Sequence, residues 1–191
     1  NSRLIVTLDG YYKYTKDLLM NVPLPSPYPN IYRNEGDMSN WGLELAINSV
    51  NIEKNDWRWT TDFNISMNRN KLERLSLQQV YYYTQTSEAL SEYVVRMEPG
   101  KPLSQFWGYT ALGVDPETGM VIYEDYNGDG KVNVADKHYI GDANPLFTAG
   151  LTNTISWKGL NLSFLLTSSV GNDIYNASKI EMIGMYTGSN Q

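Results

Sequence analysis

Trp57-Arg58-Trp59-Thr60-Thr61-Asp62-Phe63-Asn64-Ile65-Ser66-Met67-Asn68 reads with a period of two. Trp57, Trp59, Thr61, Phe63, Ile65 and Met67 fall on one side, and Arg58, Thr60, Asp62, Asn64, Ser66 and Asn68 on the other. Successive side chains of an extended chain point to opposite faces, so the pattern predicts a strand with one apolar and one polar face. The run is about twice the usual strand length. At about 3.3 Å per residue and a tilt of about 45° it rises roughly 28 Å, close to the hydrocarbon thickness of a bilayer.

Outward from this stretch the same period recurs. Leu4, Val6, Leu8, Gly10, Tyr12 and Tyr14 alternate with Ile5, Thr7, Asp9, Tyr11 and Lys13; Trp41, Leu43, Leu45 and Ile47 alternate with Gly42, Glu44, Ala46 and Asn48. Two more strands are expected around Leu151 to Trp157 and Leu160 to Thr167. The five fall near residues 3–15, 38–50, 57–69, 149–158 and 160–168, and the fold class is all-β with antiparallel strands. Polar faces built mainly of Asn, Ser, Thr and Asp suit a wet lumen better than a charged soluble surface.

The order of connections points the same way. A Pro-rich stretch from Lys16 to Asp37, holding Pro23, Pro25, Pro27 and Pro29, is followed by the tight Glu53-Lys54-Asn55-Asp56. A very long connection from Lys71 to about Pro145 is followed by the tight Lys158-Gly159. Large loops at one end and short turns at the other are the habit of outer-membrane barrels. Aromatics near strand ends, Tyr11, Tyr12, Trp41, Trp57, Trp59 and Trp157, are candidates for interfacial girdles, or alternatively for an ordinary core. Five strands do not close a barrel, so further strands are expected to cover the open edges.

Composition narrows the functions. A net charge of −6 argues against a nucleic-acid partner, whose phosphates need a basic surface. The lack of cysteine excludes disulfides, thiolate metal sites and a cysteine nucleophile. No apolar run reaches the length of a membrane helix, and Asn1-Ser2-Arg3 leads into a strand pattern rather than a signal peptide. His138 is the sole histidine, and no P-loop, dinucleotide or G-x-S-x-G signature occurs, so no enzyme is expected.

Acidity concentrates between Gly113 and Asp142, where seven acidic residues face two basic ones. Within it, Asp125-Tyr126-Asn127-Gly128-Asp129-Gly130-Lys131-Val132-Asn133-Val134-Ala135-Asp136 matches the pattern of a calcium loop. Hard Ca²⁺ takes six to eight oxygens; Asp125, Asn127 and Asp129 would supply side chains, Lys131 its carbonyl, Asn133 a water-mediated contact and Asp136 the closing carboxylate. The competing reading is that Asn127-Gly128 and Asp129-Gly130 are turn dipeptides.

Several stretches together resemble the C-terminal part of the SusC/RagA family: LDGYYKYTKDLLMNVPLPSP (8–27), NEGDMSNWGLELAINS (34–49), WRWTTDFNISMNRNKLERLS (57–76), EPGKPLSQFWGY (98–109) and DYNGDGKVNVADKHYIGDANPLFTAGLTNTISWKGLNLSFLLTSSVGNDIYN (125–176). The resemblance implies a TonB-dependent transporter in the outer membrane of a Gram-negative bacterium. It also implies a barrel of about 22 strands with long extracellular loops, a plug and TonB contact lying outside this sequence, and a SusD-like surface lipoprotein as partner. A glycan or peptide nutrient is the implied cargo, outer-membrane lipid the surroundings, and 113–142 an acidic extracellular loop. The rival expectation is a soluble or surface β-sandwich carbohydrate-binding module with a dockerin-like calcium loop, in which Tyr81, Tyr82, Tyr83, Trp107 and Tyr109 would stack on sugars. The two part on whether the apolar strand faces meet a second sheet.

Overall fold

The computed structural model describes residues 3–22, 27–76, 80–83 (backbone alone for 81–83) and 93–179. Five strands form one antiparallel sheet in chain order: β1 (Leu4–Val22), β2 (Ile31–Lys54), β3 (Trp57–Leu75), β10 (Phe147–Trp157) and β11 (Leu160–Val170). Between β3 and β10 lie β4 (Tyr81–Tyr83), β5 (Val95–Met97), β6 (Gln105–Gly108) and β9 (His138–Asp142), which make a four-stranded sheet. The same connection holds a hairpin of β7 (Ala111–Val114) and β8 (Val121–Tyr123).

The first three strands run well past the spans expected from the alternation. Asp17 sits at φ 57°, and the β1–β2 register shifts between Thr15 and Leu18, so a bulge interrupts the period of two at the point where the sequence reading stops. A second shift, where Leu18 and Leu19 pair with Gly36 and Asn34 and Glu35 is skipped, hides the start of β2 in the same way, and Glu73 is skipped on β3 between Leu72 and Arg74. The stretch 16–37 is thus largely strand rather than loop, leaving 23–30 as the connection; Pro23 and Pro25 lie outside the described residues. β10 and β11 keep nearly the expected bounds.

Both tight turns, Asn55-Asp56 and Lys158-Gly159, lie at one end of the sheet, and 23–30 and 76–146 leave from the other. Asn55 (φ 53°), Lys158 (φ 45°) and Gly159 (φ 86°) supply the left-handed backbone that two-residue hairpins need. Gly42 has a different task. A Cβ there would stand 2.6 Å from the Tyr11 ring and 2.7 Å from the Met67 carbonyl oxygen, so only hydrogen lets Tyr11 lie across β2.

The connection between β3 and β10 is tied to the tall end of β3. Leu72 donates its amide to the Lys101 carbonyl (2.9 Å) and accepts from the Gly100 amide (2.7 Å), pairing the part of β3 that β10 does not reach. The Asn70 amide group donates to Asn144 (3.0 Å), and its oxygen accepts from the Leu103 amide (2.7 Å). Val22 and Leu72 are the buried hydrophobic residues among those described, so what interior there is lies at this end.

Candidate functional site

Directly paired residues share a face, and the registers sort the large sheet into two surfaces. One carries Val6, Ile47, Phe63, Leu151 and Leu166 in a row, with Leu8, Leu45, Ile65 and Ala149 in the next. Among the described residues no second sheet covers it; Leu8 is 72% exposed and Leu162 60%. The other surface presents Asn48, Asp62, Asn64, Ser66, Thr148, Thr152, Thr154 and Ser163. Its polar groups join across strands: Asn48 to Asp62 at 2.6 Å, Ser66 to Thr148 at 2.9 Å, Thr154 to Ser163 at 3.2 Å.

The apolar surface is bounded at both ends. Near the tight turns stands the row Ile52, Trp59, Ile155 and Leu162, then Lys54, Trp57, Trp157 and Leu160, with the Trp57 and Trp157 rings stacked 5.4 Å apart. Near the long connections stand Tyr12, Trp41 and Arg69. Immediately beyond them the surface becomes charged. Ser39 donates to Glu73 (2.6 Å), Lys71 pairs with Glu73 (2.8 Å), and Arg74 pairs with Asp37 (3.0 Å), which Tyr14 also approaches. Ten residues of β3 separate Trp59 from Arg69. That is about 33 Å of strand, or about 24 Å of height at a tilt of about 45°, matching the apolar band of a membrane barrel between its aromatic girdles. Of the girdle candidates, Tyr11 lies on the polar face over Gly42; Tyr12, Trp41, Trp57, Trp59 and Trp157 face the apolar side.

The acidic loop follows β8 and returns through a single 3-10 turn, Val134–Asp136, to β9. All six candidate ligands lie in it, and its own amides occupy them. Asp125 Oδ1 accepts from Gly128 and Asp129, and its Oδ2 from Gly130 at 2.7 Å. Asn127 accepts from the Asp129 amide, Asp129 from Lys131, and Asn133 from Ala135, each at 2.8–2.9 Å. The Lys131 carbonyl accepts from the Asn133 side chain. Asp136, wholly buried, accepts from the Asn133 amide at 2.7 Å and the Asn127 amide at 3.2 Å. The Asn133 amide, then those of Asn127 and Tyr126, hold its carboxyl below the usual range, against the opposing pull of burial. Gly128 (φ 72°) and Gly130 (φ 82°) provide the turns. Among the described residues no three acidic or histidine side chains converge as a metal cluster.

His138 fastens this loop. Its ring stacks on Tyr126 (3.9 Å, 12°), and Nδ1 lies 2.9 Å from the Asp136 carbonyl, which only accepts, so Nδ1 carries the proton. Nε2 lies 3.0 Å from the Thr110 hydroxyl. The loop aromatics are likewise engaged. Trp107 meets Tyr139 edge-on at 5.0 Å beneath the Arg96 guanidinium (4.0 Å), and Tyr109 packs on Tyr123 at 5.4 Å. These contacts give Trp107 and Tyr109 packing roles; the side chains of Tyr81, Tyr82 and Tyr83 lie outside the described residues.

No protein-family model matches the chain. It is similar to TonB-dependent receptor P3 of Formosa agariphila, 30% identical over 95% of this chain and 20% of that protein. It is also similar to TonB-dependent receptor SusC of Bacteroides thetaiotaomicron, 27% identical over 99% of this chain and 20% of that protein. A solved structure of the RagAB peptide importer in its closed-closed state superposes with a TM-score of 0.75 at 27% identity, over 90% of this chain and 20% of that one. This is a SusC/RagA-type TonB-dependent receptor segment. It spans about a fifth of the length of those relatives. The sheet accordingly belongs to the wall of a TonB-dependent receptor barrel, and the uncovered apolar face leaves the sandwich reading without its second layer. The relatives named here are receptors and an importer rather than enzymes.

Proposed function

We propose that this SusC/RagA segment forms part of the wall of an outer-membrane importer energised through TonB, with its apolar surface in hydrocarbon and its Asn/Ser/Thr surface lining the passage. The observation that supports it is the uncovered apolar band, about 24 Å high between two aromatic rows, backed by a hydrogen-bonded polar face. In this reading the plug and TonB contact belong to parts of the receptor outside the segment. The long connections face the cell exterior, where a SusD-like lipoprotein docks, and the cargo is an oligosaccharide or a peptide. The test is uptake by a strain deleted for the full-length gene. Re-expression restores TonB-dependent accumulation of labelled oligosaccharide or peptide, with the receptor in the outer-membrane fraction; recovery of the protein in the soluble fraction would sink the proposal.

The loop 125–136 is proposed to take Ca²⁺ through Asp125, Asn127, Asp129, the Lys131 carbonyl, Asn133 and Asp136, on the ground that their residue types and spacing match the ion's oxygen preference. Because the loop's amides already hold these oxygens, affinity on the order of 10⁻⁴–10⁻³ M is expected, as in extracellular modules. Calorimetry on the full-length receptor should give binding heat that Asp129→Ala abolishes. No heat at millimolar calcium removes the idea.

A further inference from the structure

One row of the apolar surface is polar. Ser49, Thr61 and Asn153 lie side by side, ending at Phe164, between the Ile47-Phe63-Leu151-Leu166 row and the Ile52-Trp59-Ile155-Leu162 row. Their hydrogen bonds all run one way. Ser49 donates to Asn51 Oδ1 (2.9 Å), Asn51 Nδ2 to Thr61 Oγ1 (2.6 Å), and Thr61 Oγ1 to Asn153 Oδ1 (2.7 Å), which also accepts from Trp59 Nε1 (2.9 Å). The chain of donors ends on that one oxygen. None of these bonds uses the Asn153 amide nitrogen, which stays accessible at the apolar surface although the residue as a whole is only 8% exposed. A donor held in an apolar band without an acceptor is costly, so the surroundings must supply one.

Two cations stand at the adjoining rim. Lys54 is paired across the sheet with Trp57, and Lys158 lies 5.5 Å from the Trp157 ring, so the stacked indoles sit between them. Neither lysine has a carboxylate within ion-pair distance among the described residues. Trp57 and Thr61 are four residues apart along β3, about 13 Å of strand and about 9 Å of depth at the tilt used above. Going inward from the rim, the surface thus offers cations, the Ile52-Trp59-Ile155-Leu162 row, an amide donor, and then the Val6-Ile47-Phe63-Leu151-Leu166 row.

We propose that this strip is a binding site for an anionic glycerophospholipid in the leaflet on the tight-turn side. Its phosphate lies between Lys54 and Lys158, an acyl-ester carbonyl accepts from Asn153 Nδ2, and its chains run along Val6, Ile47, Phe63 and Leu166. Phosphate, ester and hydrocarbon follow one another in a lipid in the order in which the strip meets them. The proposal rests on the membrane reading above and adds lipid choice to it.

The test uses the full-length receptor, purified in detergent, with native mass spectrometry during titration by phosphatidylglycerol or phosphatidylcholine. The wild type should retain phosphatidylglycerol preferentially, and Lys54→Ala/Lys158→Ala should lower that retention by about fivefold for each lysine removed. Asn153→Leu should weaken retention of both lipids, because the ester is common to them. Equal phosphatidylglycerol retention by the wild type and the double lysine variant overturns the site, and those exposed positions keep the test open if Asn153→Leu does not fold. Insertion into phosphatidylglycerol/phosphatidylcholine vesicles is scored separately by heat-modifiable electrophoretic migration. A receptor that inserts but shows no lysine effect refutes the lipid site alone, whereas one that never inserts refutes the membrane reading.

Discussion

Placing an arginine at Leu8 tests which solvent the apolar surface meets. Leu8 shares its row with Leu45, Ile65 and Ala149, and Ile65 lies six residues from Trp59 and four from Arg69, close to mid-height of the band. Leu8 is 72% exposed, so a soluble sheet would accept Leu8→Arg within about 0.5 kcal/mol. In a bilayer the same charge near the midplane costs roughly 2–4 kcal/mol on the lipid face of a barrel, and little facing the lumen. The neighbouring Thr7→Arg, on the polar face with Ala46 and Asn64, is therefore the matched control and should be near neutral. Both variants would be made in the full-length receptor, folded into lipid vesicles and unfolded in guanidinium, with tryptophan fluorescence following the transition. A loss of about 3 kcal/mol for Leu8→Arg corresponds to more than a hundredfold in the folding constant. Equal midpoints and slopes for Leu8→Arg and Thr7→Arg would refute the assignment of faces.

Trp59→Arg, at the girdle, should cost less than Leu8→Arg, about 1 kcal/mol or below from position in the band, in the same unfolding assay. Gly42→Ala forces a methyl against the Met67 carbonyl oxygen, which cannot swing aside, and should destabilise by about 1–3 kcal/mol; adding Tyr11→Ala should recover only part, because the backbone clash remains. For Asp136, the lowered carboxyl pKa means that the loop's anchorage is complete above the ordinary carboxylate range and is lost as pH falls through the lowered value. Amide exchange at Asn127 and Asn133 should therefore show acid-sensitive protection that Asp136→Asn reduces already at neutral pH; protection unchanged by the substitution would contradict the hydrogen bonds assigned to it.

The middle of every long strand was legible because nothing but side-chain alternation is needed to place Phe63 opposite Asn64. The upper thirds of β1, β2 and β3 were not, since bulges at Asp17, Glu35 and Glu73 shift the phase of the pattern while leaving the pairing intact. β4 to β9 are three to five residues long, too short for a period of two to stand out, so a folded second sheet reads in sequence as a single long connection. At the acidic loop, residue types and spacing were readable, but the orientation of each oxygen toward a backbone amide depends on φ values at Gly128 and Gly130. The polar row on the apolar face shows the same limit. Thr61 interrupts the alternation visibly, but its union with Asn153 requires the pairing of strands more than 70 residues apart.

That distant pairing has a consequence for the order in which the wall is assembled. β2–β3 and β10–β11 close through two-residue turns and form from local contacts, whereas docking β10 on β3 must bring together ends separated by residues 76–146. Treated as a flexible loop, that closure costs about 2 kcal/mol more in chain entropy than the 23–30 connection. If the small sheet forms first and grips Leu72 through Gly100 and Lys101, the span left to close shrinks to the few residues between Asp142 and Phe147, and the penalty nearly vanishes. The intervening module thus doubles as a splint, and substitutions that loosen it should slow insertion of the hairpin that follows more than they alter the finished wall.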